Sequence, residues 1–270
     1  METQTLEEKY ARLQEILRSL GRVAVAFSSG VDSTLLLKAA HDALGENAAA
    51  LTARSAIFPR RESEESLDFC RAEGIRQIVV PVDELQVEGF RENPPDRCYL
   101  CKRALFAAFC RIAAEQDLGT VAEGSNVDDC GDYRPGMRAI AELEIRSPLR
   151  EAGLTKAEIR ELSRRLDLPT WDKPSFACLA SRFAYGEEIT EEKLAMVERA
   201  EAYLMGLGFR QMRVRIHGRL ARVEVLPEDM DRFLDPALRA AAAAALREMG
   251  FLYVTLDLQG YRMGSMNEAL

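Results

Sequence analysis

No G-x-x-x-x-G-K-S/T run occurs in the sequence, which excludes a Walker-type phosphate loop. There are only two histidines and a single C-x-x-C, with no second C-x-x-C and no H-x-x-x-H. A four-ligand zinc site of the usual spacing therefore has nothing to complete it. No apolar run approaches the roughly 20 residues that span a bilayer, and the acidic start around Glu7, Glu8 and Lys9 is not built like a secretory leader. These absences predict a cytoplasmic protein with no membrane partner. A basic excess is also missing: 36 Lys and Arg against 44 Asp and Glu give a net charge of −8, which disfavours broad nucleic-acid binding. There are no internal repeats, and the alanine run at 240–245 is a strong helix former rather than a linker.

What the chain does have is 47% hydrophobic and 30% charged residues over 270 positions, a folded composition that predicts one large or two modest domains. Six cysteines in such a setting are expected to be reduced, metal-bound or catalytic rather than disulfide-bonded.

The chain is organised around its residues 22–37. An apolar run, Val23 to Phe27, suits a strand buried on both faces; Ser28-Ser29-Gly30-Val31-Asp32-Ser33 follows, then apolar residues at helical spacing. Strand, small-residue turn and helix gather backbone N–H groups and a helix dipole at one point, which favours an anion such as phosphate. Gly30 is expected to supply close approach or a positive φ, Asp32 to cap the helix, and the serines to donate hydroxyls. The plain alternative is an ordinary βα turn. The compact hexapeptide resembles the pyrophosphate-binding loop of the N-type ATP pyrophosphatases, usually written SGGxDS, with Ser29 in the place of a glycine. That resemblance implies ATP as substrate.

Taken in order, an amphipathic helix is expected over Thr5–Leu20, a strand over Ala48–Ala53, a helix over Pro59–Gly74 and a strand over Arg76–Val80. This β-α-β-α-β order predicts a doubly wound parallel sheet, whose carboxyl edge lines the ligand crevice. Thr52 and Arg54 fall at that edge, as do Gly124, Asn126 and Asp128 after a strand at Thr120–Glu123. Asp128 is a candidate Mg²⁺ or substrate contact, while Asp129 reads equally well as solvated. Asp132 to Gly136 reads as a turn, Glu144–Leu149 as a last strand, and Thr155-Lys156-Ala157-Glu158 as a capping box.

Asn93-Pro94-Pro95-Asp96-Arg97-Cys98-Tyr99-Leu100-Cys101 places the C-x-x-C at a helix N-terminus, which favours thiolate. A redox pair and half of a zinc site are the simpler readings. Cys70, Cys110 and Cys130 stand alone, as buried small residues usually do. Lys173 to Arg182 surrounds Cys178 with two cations, which suits a nucleophilic or metal-binding thiolate; a buried cysteine is the alternative. Farther on, a helix from Thr190 to Gly208 leads to a strand that aligns Arg213, Arg215 and His217 on one face. They form either a phosphate site or a solvated face. A hairpin through His217-Gly218-Arg219, a helix Pro236–Met249 and a strand Phe251–Asp257 complete an α+β unit. The expected division is a nucleotide domain over residues 1–186 and a smaller C-terminal domain over 187–270.

The loop, the Asn93–Cys98 run, the Lys173–Arg182 segment and the terminal Gly260-Tyr261-Arg262-Met263-Gly264-Ser265-Met266-Asn267 together resemble the LarE family. The resemblance covers nearly the whole chain. It implies a PP-loop fold of the adenine nucleotide α-hydrolase-like type and ATP-dependent sulfur transfer to pyridinium-3,5-biscarboxylic acid mononucleotide, in the making of a nickel-pincer cofactor used by lactate racemase. It further implies that Ser28, Ser29, Gly30, Val31, Asp32 and Ser33 hold ATP, with Thr52, Arg54, Gly124, Asn126, Asp128 and Arg182 as further nucleotide contacts. Asp32 and Asp128 would contact Mg²⁺, and Arg213 and Arg215 the substrate phosphate. Cys178 would be the sulfur-delivering residue, catalytic together with Asp32. The family uses either a sacrificial cysteine at the Cys178 position or three cysteines holding a [4Fe-4S] cluster; Cys98, Cys101 and Cys178 match the second type. A homo-oligomer, a hexamer by resemblance, is implied. Rival readings are a cluster-dependent tRNA thiolase, an ammonia-delivering synthetase and a non-catalytic nucleotide-binding module.

Overall fold

The computed structural model describes residues 4–131, 135–262 and 264–265. Asp132, Tyr133 and Arg134 of the expected turn, and Met263, Met266 and Asn267 of the terminal motif, lie outside the described residues. The chain divides into two compact units: Met1–Glu84 with Cys98–Phe176, and Leu85–Arg97 with Ala177–Leu270.

In the first unit α1 (Leu6–Leu20) opens on a capping box in which Thr5 and Glu8 exchange side-chain and backbone hydrogen bonds. A four-stranded, all-parallel sheet follows, ordered β3-β2-β1-β4, from β1 (Val23–Ala26), β2 (Ala48–Arg54), β3 (Arg76–Pro81) and β4 (Thr120–Ala122). Between and after the strands run α2 (Val31–Leu44), α3 (Arg60–Glu73), α4 (Arg97–Glu115), α5 (Gly136–Glu142), α6 (Pro148–Glu151) and α7 (Lys156–Arg165). Side chains alternate along a strand, so each strand feeds two apolar layers. Val23, Val25 and Ala50 pack with Leu13 and Leu17 of α1, Leu36 of α2, Phe69 of α3 and Ile159 of α7. Ala24, Ala49 and Leu51 pack with Phe106 and Phe109 of α4 and Ile140 of α5. Helices on both faces make this a doubly wound α/β sheet.

The strand expected over Glu144–Leu149 is reduced to one parallel bridge between Ala122 and Arg146. Glu144 takes a φ of 53°, and Pro148, which has no N–H to donate, opens α6 instead.

In the second unit α8 (Glu191–Gly206), capped by Thr190, precedes β5 (Met212–His217) and β6 (Leu220–Val225). These strands form an antiparallel hairpin turned at Gly218, where φ is 60°. After α9 (Pro236–Glu248), β7 (Tyr253–Leu256) joins β6 in parallel, giving a mixed sheet ordered β5-β6-β7. The alternation along β5 is as expected, but Arg213 and Arg215 are as buried as Val214 and Ile216, which removes the solvated-face reading. Among the described residues no helix is long and apolar enough to cross a membrane.

Candidate active site

All four parallel strands end on one edge of the sheet, and that edge gathers the turn after β1, Arg54 at the end of β2, and the Gly124–Asp128 segment after β4. The turn is held from within. Ser33 Oγ accepts from Ser28 N (3.3 Å), shares a hydrogen bond with Ser28 Oγ (3.2 Å) and donates to the Gly30 carbonyl (3.2 Å). Thr34 Oγ1 donates to the same carbonyl at 2.8 Å. The N-cap of α2 is Gly30, and no side chain caps it, so the first-turn N–H groups of the helix point out of its end.

Two details differ from expectation. Gly30 has a φ of −80°, and the left-handed conformation sits one residue earlier, at Ser29 with φ 51°. Asp32 does not cap the helix: its Oδ1 accepts from Asn126 Nδ2 at 3.2 Å, and its Oδ2 pairs with Lys156 Nζ. Asn126 Oδ1 accepts the Asp128 N–H at 2.9 Å, while Asp128 Oδ2 accepts the Lys156 N–H at 2.7 Å. One asparagine thus touches both candidate aspartates. Gly124 sits in close quarters: a Cβ there would stand 3.1 Å from Ser33 N and 3.2 Å from Asp32 Cβ, a tight fit. Thr52 is buried, its hydroxyl accepting from Gln77 Nε2 at 2.8 Å, whereas Arg54 is exposed.

Two lysines at the turn escaped the sequence reading in these roles. Lys173 Nζ donates to the Ser29 carbonyl at 2.9 Å and pairs with Glu65; Lys156 pairs with Asp32. Both pairs join residues more than a hundred positions apart, so no local pattern announces them.

Lys173 thus contributes to the turn of the first unit. Arg182, expected at the nucleotide, is wholly buried: Nε and Nη2 donate to the two oxygens of Glu201, each at 2.8 Å, and Nη1 to the carbonyls of Ala177 and Cys178. Arg213 lies over the Tyr261 ring, 4.9 Å from its centroid, and burial, aided by the Arg182 charge, pushes it down to about 10. Arg215 donates to Glu224 at 2.9 Å and to the Ser181 carbonyl at 2.9 Å, while its buried Nε has no partner among the described residues. A buried guanidinium N–H with no acceptor suits a site completed by an anion.

The described cysteines form no disulfide. Cys98 and Cys101 lie in the first turns of α4, and Cys178 is the residue before the 3-10 turn Leu179–Arg182. Among the described residues no group of three or more His, Cys, Asp or Glu stands together to hold a metal. Cys70 is buried and its thiol is pushed up to about 12 by that burial, as befits a packing residue; Cys110 is raised by the same cause.

A doubly wound parallel sheet with this Ser/Gly/Asp turn at the head of α2 defines an α/β protein of the PP-loop class. Comparison with known proteins narrows the class. The chain is 38% identical over 267 residues to the pyridinium-3,5-bisthiocarboxylic acid mononucleotide synthase of Lactiplantibacillus plantarum, spanning 98% of this chain and 96% of that one. It is 43% identical over 265 residues to an uncharacterised protein of Synechocystis sp., covering 98% and 99%. A more distant relative is one component of the glutamine-hydrolysing GMP synthase of Thermococcus kodakarensis, 26% identical over 214 residues, 73% of this chain and 68% of that one. No family model matches the chain. The chain belongs to the family of pyridinium-3,5-bisthiocarboxylic acid mononucleotide synthases, the LarE family.

Proposed function

We propose that the chain is an ATP-dependent sulfur transferase that converts the carboxylates of pyridinium-3,5-biscarboxylic acid mononucleotide to thiocarboxylates. The observation that carries this reading is 38% identity to the named synthase along almost the full length of both chains. The uncapped head of α2 supports it as a receptor for pyrophosphate.

A carboxylate is a poor electrophile, so the first step activates it. A substrate carboxylate oxygen attacks the α-phosphorus of ATP, the bond to pyrophosphate breaks, and an acyl-adenylate forms. Ser28, Ser33 and the first-turn N–H groups of α2 receive the leaving pyrophosphate, with Ser29, Gly30 and Val31 shaping the cradle. Thr52, Arg54, Gly124 and Asn126 border the nucleotide. Asp32 and Asp128 fit Mg²⁺ by donor type, being hard carboxylate oxygens; a cation bound there would offset charge on the leaving group. Arg213 and Arg215 hold the substrate phosphate, the buried Arg215 Nε being a donor with no acceptor among the described residues. In the second step Cys178 Sγ attacks the acyl carbon and AMP leaves, giving a thioester. Cleavage of the Cβ–Sγ bond with loss of the Cα proton then releases the thiocarboxylate and leaves dehydroalanine.

A [4Fe-4S] cluster on Cys98, Cys101 and Cys178 is the alternative sulfur source. Its support is the presence of three reduced thiols, Cys98, Cys101 and Cys178, which would hold the cluster; bound, the cluster would supply sulfide in place of the Cys178 sulfur.

Incubation with ATP, Mg²⁺ and the mononucleotide is expected to release AMP and pyrophosphate and to give a product carrying sulfur in place of oxygen. Nucleotide binding without pyrophosphate release would reduce the chain to a non-catalytic module. Iron and acid-labile sulfide after anaerobic reconstitution identify the donor. Iron lost in both Cys98→Ala and Cys178→Ala means the cluster, and dehydroalanine at position 178 after a single turnover means the sacrificial thiol.

A further inference from the structure

We propose that Glu201 is the positioning residue for Cys178, acting through the buried fork of Arg182; the proposal rests on the reading of Cys178 as the residue that delivers sulfur. The segment 177–181 lies in no strand and carries only the start of the short 3-10 turn Leu179–Arg182, so most of its carbonyls must find partners outside a ladder. Three buried arginines supply them. Arg182 Nη1 donates to Ala177 O at 2.6 Å and Cys178 O at 3.0 Å, Arg97 Nη1 to Ala180 O at 3.0 Å, and Arg215 Nη1 to Ser181 O at 2.9 Å. The Cys178 carbonyl accepts two more hydrogen bonds, from Ser181 N at 3.0 Å and Ser181 Oγ at 2.8 Å. Its peptide plane, and with it the Cα–Cβ direction that aims the sulfur, is held from three sides.

Glu201 gives that arrangement its fixed point. Both its oxygens receive the Arg182 fork, and Oε1 also accepts the Val214 N–H of β5 at 3.0 Å. The carboxylate thereby ties the Cys178 segment to α8 and β5, two regular elements that bury their apolar sides. Burial alone would raise the Glu201 carboxyl, but the charge and hydrogen bonds of Arg182 outweigh it and keep it below its ordinary value, so the pair is ionic at neutral pH. A wholly buried guanidinium without this partner is an uncompensated charge, free to turn its fork elsewhere. Sulfur attack on an acyl carbon is sensitive to placement, since a misfit of about 1 Å costs on the order of a hundredfold in rate.

The test measures two half-reactions in Glu201→Gln, Glu201→Asp and Ser181→Ala: pyrophosphate release, and thiocarboxylate formation by its single-turnover rate constant and apparent KM for the mononucleotide. In Glu201→Gln the single-turnover transfer rate is expected to fall by about tenfold to a hundredfold. Pyrophosphate release and KM should stay near native. Glu201→Asp, which keeps the charge, should recover part of the loss. Ser181→Ala removes one link to the Cys178 carbonyl and keeps the test alive if Glu201→Gln does not fold; it should show a smaller loss of the same kind. Parallel loss of both half-reactions would reduce Glu201 to a structural role. A rise in KM alone would mean that it acts on the substrate through Arg213, and an unchanged transfer rate in the folded variants would also overturn the proposal. Cys178→Ser separates the underlying reading: native sulfur transfer in that variant means the donor lies elsewhere.

Discussion

Ser29 holds a left-handed conformation, φ 51°, at a position where such loops usually carry glycine. For a non-glycine residue that conformation costs roughly 1–2 kcal/mol. Its hydroxyl offsets part of this, donating to the Glu62 carbonyl at 3.1 Å and accepting from Lys173 Nζ at 3.4 Å. A net hydrogen bond contributes about 1 kcal/mol, so the two effects nearly cancel. Ser29→Gly is therefore expected to change stability by less than about 1 kcal/mol. Ser29→Val loses the hydroxyl and places a β-branched side chain in the same strained region, so it should be clearly destabilising. Urea unfolding of the three proteins measures both effects, and a Gly variant as damaged as the Val variant would mean that the hydroxyl, not the backbone, decides this position.

Helix α7 shows the same local logic over ten residues. Thr155 and Glu158 form a capping box, Asp128 takes the Lys156 N–H, and Lys9 of α1 donates to both Glu158 oxygens, at 2.7 and 2.9 Å. The Thr155 and Glu158 half of this was readable from T-K-A-E; the Lys9 and Asp128 half was not, because it joins α7 to segments distant in the chain. Burial by itself would raise the Glu158 carboxyl, but Lys9 and the cap bonds hold it below its ordinary 4.5. A depressed folded pKa contributes stability above the unfolded value and loses it as pH falls through the folded one. Glu158→Gln keeps an amide oxygen for the cap and loses the charge paired with Lys9, so it is expected to be less stable than the native chain at pH 7, by about 1 kcal/mol or less. That difference should shrink as pH drops below 4.5 and should vanish in more acid solution. Urea titrations at several pH values test it; a pH-independent difference would assign the loss to the cap alone.

Across the whole molecule, what the sequence disclosed was local and what it concealed was long-range. Strand, turn and helix at residues 22–37, the Thr155–Glu158 capping box and the β5–β6 hairpin all involve neighbours, and each formed within a residue or two of its expected bounds. Arg213 and Arg215 alternate with apolar residues just as a wet strand face would, and partners from other segments, Glu224, Ser181 and Tyr261 among them, allow them to be buried. Lys156 and Lys173 found Asp32 and Glu65 across more than a hundred residues. Burial of arginine also decides how the chain meets nucleic acid. The net charge is −8, and Arg97, Arg182, Arg213 and Arg215, which could have formed a basic surface, are turned inward onto carboxylates, carbonyls and rings. Binding to a polyanion grows with the number of phosphates neutralised and weakens steeply with salt, so a chain of net charge −8 whose buried arginines add nothing to its surface has little to gain from tRNA. No tRNA retention is expected in a mobility-shift titration at moderate salt, with or without ATP. Tight binding that falls off with added salt would revive the tRNA thiolase and make the inward arginines irrelevant to the choice of substrate.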